Sequence, residues 1–129
     1  MFDFNKDVET RDKLIFGEYD EDKYMGGVRR FENVDTETIK KLIDLKFLDP
    51  EETQNSSPST REMVEFAEKW GNYYFDGYVV SKRRTDYRVN LDTISKFISV
   101  DQEEVIAFTK KFRLADEFDA DGTLYAWYD

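Results

Sequence analysis

The stretch that most restricts how this chain can fold is residues 72–91, NYYFDGYVVSKRRTDYRVNL. Two runs rich in aromatic and β-branched residues flank the polar tetrad Lys82, Arg83, Arg84 and Thr85, the pattern of an antiparallel hairpin with a polar tip. Strand alternation puts Phe75, Gly77 and Val79 on one side of the first run and Tyr74, Asp76, Tyr78 and Val80 on the other. On the second run, Tyr87, Val89 and Leu91 oppose Arg88 and Asn90. One side reads as core, the other as aromatic and basic.

Around this hairpin the chain alternates helical signals with loops. DTETIKKLIDLKFL places Ile39, Leu42, Ile43 and Phe47 near one helical face, with Asp35 as N-cap and an expected stop at Asp49 before Pro50. Ser59 and Glu62 form the two halves of a capping box ahead of Met63, Phe66, Ala67 and Trp70, and Gly71 suits the helix end. DQEEVIAFTKKF predicts a third helix, with Asp101 as cap, Glu104 three residues on, and Val105, Phe108 and Phe112 along one stripe. Residues 1–24 fit no regular template for long; KLIFGEY reads as a short strand and EYDEDK as a solvated loop. Residues 124–128, LYAWY, read as a strand covered on both faces. The expected fold is one α+β domain over residues 1–129, with about three helices covering one face of a small antiparallel sheet. That sheet is built from the central hairpin and the C-terminal strand.

Composition excludes whole chemistries. The chain has no Cys and no His, which removes ordinary zinc sites, Cys-His nucleophiles, Ser-His-Asp triads and disulfides. No Gly-rich phosphate loop occurs, and no apolar run approaches the roughly 18 residues a membrane span needs. The start, MFDFNKDVETRD, carries neither a basic segment nor an apolar secretory core. A cytoplasmic protein without cofactor is therefore expected. Net charge is −10, but it is uneven. Residues 73–100 hold five basic and three acidic groups, whereas 101–129 hold three basic and eight acidic ones.

Four candidate chemistries follow. In EFDADG, Glu117, Asp119 and Asp121 precede Gly122 at calcium-loop spacing, but the twelfth position, where a bidentate Glu closes the shell, is Tyr128. The competing reading is a tight Asp-Gly turn before an outgoing strand. ISKFISVDQEEVIAFTKKF, residues 94–112, resembles a helix-turn-helix of the repressor type. Ile94, Ile98, Val100 and Val105 fall at its apolar positions, Ser95 at its small-residue position, and Phe108 would anchor the second helix. The resemblance implies DNA binding, although that helix would open on Asp101, Glu103 and Glu104, which meet phosphates with like charge. Carboxylate-dependent catalysis has no pair singled out by spacing, and no enzyme is expected. The hairpin remains: Arg83, Arg84 and Arg88 beside Tyr78 and Tyr87 combine guanidinium groups with aromatic faces, suited to an acidic or aromatic partner. A non-catalytic module binding another protein through Tyr78, Arg83, Arg84, Tyr87 and Arg88 is the expected function. A DNA-binding regulator is the alternative.

Overall fold

The computed structural model describes residues 2–129. In chain order it contains α1 (Val8–Phe16), a 3-10 turn (Glu21–Lys23), β1 (Val28–Asp35), α2 (Thr36–Asp44), α3 (Thr60–Trp70), β2 (Tyr74–Val80), β3 (Val89–Lys96), α4 (Gln102–Phe112), β4 (Glu117–Asp121) and β5 (Thr123–Trp127). All strand pairs are antiparallel, in the order β1-β2-β3-β5-β4. The fold is α+β as expected, with a fourth helix and a five-stranded sheet. Phe31, Phe75, Val79, Leu91, Ile94, Leu124 and Ala126 point from the sheet into a core completed by helix residues such as Leu42, Met63, Phe66, Phe108 and Phe112.

Local signals explain three helices. The Asp35 carboxylate accepts from the Thr38 backbone N–H at 2.8 Å and starts α2. The helix ends five residues before the stop expected at Asp49, because Lys46 turns left-handed at φ 65°. The Phe47 N–H then reaches back to the Leu42 carbonyl and the Lys46 N–H to that of Ile43, a Schellman arrangement that drops Phe47 and Leu48 into the core. The Ser59–Glu62 capping box opens α3. Asp101 caps α4, accepting from the Glu103 and Glu104 N–H groups.

The first two dozen residues depart from expectation. KLIF ends a helix, α1, rather than forming a strand: Asp7 caps its start and Gly17 closes it at φ 78°. Between Val8 and the core-packed Leu14, Ile15 and Phe16, this helix buries charge, which interrupts its apolar stripe. Arg11 is fully buried and donates to Asp12, to the Val80 carbonyl and to Tyr24. Burying a charged pair hides the helix from any periodicity of apolar residues.

The other departure concerns the last strand, expected to be covered on both faces. Leu124 and Ala126 are fully buried, whereas Tyr125 and Trp127 lie half-buried on the opposite face. The helices cover one side of the sheet and leave the other without helices, with Tyr125 and Trp127 half-buried there and Asn90, Asp92 and Thr93 buried at its centre.

Candidate functional site

The hairpin tip spends most of its charge internally. Arg84 donates to both Asp86 oxygens, at 2.8 and 2.7 Å, and to the Gly26 carbonyl. Its stem lies where a Cβ on Gly27 would have to sit, 2.5 Å away, so that glycine lets the tip dock on the β1 turn. Arg88 donates to Asp86 and, at 2.9 Å, to the Tyr78 hydroxyl, with Glu52 alongside. Tyr87 is buried: its hydroxyl donates to the Asn5 carbonyl, and Lys6 and Arg11 lie over its ring. It serves packing, contrary to its expected place on a contact surface. Arg83 alone stays mostly in solvent, 3.6 Å from Glu21. The structure gathers these five residues around one hairpin without giving them a common exposed face.

The helix-turn-helix expectation is overturned as a structural element. Ile94, Ser95 and Lys96 belong to β3, paired with both β2 and β5, so no first helix exists. Ile98 and Val100, at positions that motif buries, are 66% and 91% exposed. Its apolar spacing arises from a strand end, a loop and one helix. The calcium-loop spacing likewise falls on a strand. Glu117, Asp119 and Asp121 project from one side of β4, about 7 Å apart by the rise of two residues, instead of encircling a point. Among the described residues no group of three or more acidic side chains gathers at metal-binding distance.

The open face of the sheet holds the richer chemistry. A bulge between β2 and β3 shapes it. Asp76 pairs with Thr93 and Gly77 with Leu91, leaving Asp92 as the extra residue. The bulge keeps Leu91 and Ile94 both in the core while Asp92 and Thr93 turn together to the open side. Gly77 is required there, since a Cβ would stand 2.0 Å from the Asn90 carbonyl oxygen and 2.8 Å from the Phe31 ring. Asp92 receives a two-pronged grip from Arg30 on β1, at 2.7 and 3.1 Å, and a third bond from the Thr93 hydroxyl at 2.8 Å. Such bidentate pairing fixes both side chains.

Beside this pair lie groups whose polarity is only partly used. Asp76 accepts from the Asn33 N–H at 2.8 Å, a contact that Asn33 reaches by taking φ 55°. Burial pushes the Asp76 pKa up, the Arg30 charge pulls it down, and the charges of Glu32 and Asp92 push it up again. Tyr125 is raised by burial first and then by Glu117, Asp76 and Asp92. The shared influence marks these groups as converging on one region. Arg30, Tyr78, Asp92, Glu117, Tyr125 and Trp127, closed at one end by Gln54 and Asp129, line a groove of about 500 Å³, within the usual range of ligand sites. At that end Asn90 donates to Tyr78 at 3.2 Å and also to Gln54.

Of the five contact residues expected from sequence, only Tyr78 lines this groove; Glu117, weighed as a calcium ligand, lines it too. Arg30, Asp76, Asp92, Tyr125 and Trp127 were missed. The alternation of Leu124 and Ala126 with Tyr125 and Trp127 was the available signal. The chain matches no protein-family model, no curated protein and no solved structure. Among the described residues no helix is long and apolar enough to cross a membrane.

Proposed function

We propose that the chain is a non-catalytic cytoplasmic module that binds another protein through the open sheet face. The carrying observation is the asymmetry of the sheet: five strands covered by helices on one side present Tyr78, Tyr125 and Trp127 with Asp76, Glu117 and the Arg30–Asp92 pair on the other. Half-buried aromatic rings on a rigid scaffold are the usual anchors of protein interfaces. Catalysis draws less support, because Asp92 already serves Arg30 and Thr93.

A second reading keeps the hairpin tip as the contact, favoured by the exposure of Arg83. Affinity purification from the native cell separates the two. The Tyr125→Ala/Trp127→Ala variant is expected to lose the partner that the wild type retains, and Arg83→Glu to keep it, with both variants folded by circular dichroism. The opposite result transfers the function to the hairpin. Retention by both variants rejects both surfaces. Duplex DNA is expected to give no salt-sensitive mobility shift, since the like charge of the open face opposes phosphates.

A further inference from the structure

We infer that the partner meets the open face with arginine side chains of a basic protein surface, a statement that rests on this face being the contact surface. Two arginines border the face, and carboxylates hold both: Arg30 by Asp92, Arg88 by Asp86 and Glu52. Asp76, Glu117 and Asp119 have no cation within ion-pair distance among the described residues, and Asp119 lies on the open side opposite Tyr125. Covering them with a neutral or acidic partner would strand carboxylates out of water, a large penalty. A partner able to close over this face must therefore bring positive charge.

The aromatic rings narrow that charge to guanidinium. Tyr125 and Trp127 make no ring–ring or cation–π contact among the described residues, although seven cation–π contacts occur elsewhere in the molecule, from Lys6 over Tyr87 to Lys96 over Tyr73. A planar, weakly hydrated guanidinium can stack on such rings while it forks onto a carboxylate, which an ammonium cannot do. Glu117 and Asp119 stand two residues apart on β4, flanking Tyr125 and Trp127 across the β4–β5 pair. Arginines at alternate positions of an extended segment would match that spacing of about 7 Å.

The test uses the full chain, labelled with ¹⁵N and titrated with hexa-arginine and hexa-lysine peptides at moderate salt. Hexa-arginine is expected to shift the Trp127 indole and the β4 and β5 amides, to bind at least threefold more tightly than hexa-lysine, and to weaken at least fivefold in Glu117→Gln/Asp119→Asn. Shifts spread equally over the acidic segment 18–22 and the helices would show charge attraction without a site and overturn the inference. So would equal binding of the two peptides, or indifference to the double substitution. The natural partner distinguishes the two levels. If it is lost with Tyr125→Ala/Trp127→Ala but its cross-linked segment carries no arginine, the inference falls while the contact surface stands. If it ignores that variant, the surface itself is wrong.

Discussion

Glu104, buried in the first turn of α4, and Asp76, half-buried on the open face, are both carboxylates drawn out of water, and their proton affinities move in opposite directions. Burial raises the pKa of Glu104, but donors from Lys96, Ser99 and Tyr73 outweigh it and hold the group below its ordinary value. Those donors stand at 2.7 to 3.0 Å. Asp76 is raised, since burial and neighbouring carboxylates exceed the relief from Asn33 and Arg30. A carboxylate fully served by its own fold is architecture. One left with unused acceptor capacity beside unoccupied aromatic rings is suited to a ligand.

The largest break of that comparison is Glu104→Ala. It leaves Lys96 and the Tyr73 hydroxyl without their acceptor and is expected to cost about 3–5 kcal/mol in urea denaturation, as removing one member of a buried pair does. Asp76→Asn keeps the acceptor for Asn33 and removes a strained charge, so its stability should stay equal or rise by up to about 1 kcal/mol. A loss at Asp76 matching that at Glu104 would erase the distinction.

Neighbours on β5 sharpen it further. Leu124→Ala opens a cavity in the core and should cost about 2–5 kcal/mol. Trp127→Ala, three residues on and on the other side, should cost only about 1 kcal/mol yet abolish partner capture. Equal destabilisation would mean that the open face is a second core.

The smallest effect is in pH. Because Glu104 is depressed in the folded chain, its contribution is present above its unfolded pKa of about 4.3 and disappears as pH falls through the lower folded value. Asp76 runs the other way. Its charged form costs stability, which is recovered as pH falls through its raised value towards about 3.9. Thermal melts of Glu104→Gln should show a flatter acid limb below about pH 4. Those of Asp76→Asn should lack the gain above it. A steeper limb in Glu104→Gln would contradict the sign of the shift.

Legibility in the sequence followed how local the cause was. Asp35, the Ser59–Glu62 box and Asp101 act within one turn, so α2, α3 and α4 could be found from short spacings. The Asp121-Gly122 turn into β5 was equally local, with Gly122 at φ 89°. Helix α1 was hidden because its inward residues include Arg11 and Asp12, whose partners Tyr24 and Val80 lie far along the chain. The place of Glu104 in the core was hidden for the same reason: its spacing from Asp101 is local, but Lys96, Ser99 and Tyr73 drew the side chain inward.

By itself the sequence determined the α+β class, three of the helix starts, the hairpin and the chemistries ruled out by the lack of Cys and His, since these depend on residue type and short-range periodicity. Only the tertiary structure decided that the side away from the core stays open as far as β5, and that Arg30, Asp92, Tyr125 and Trp127 meet there. The bulge at Asp92 reverses strand alternation, and Arg30 arrives from a strand 62 residues away to meet it. No local pattern encodes such a meeting, because it exists only once β1, β2 and β3 lie side by side.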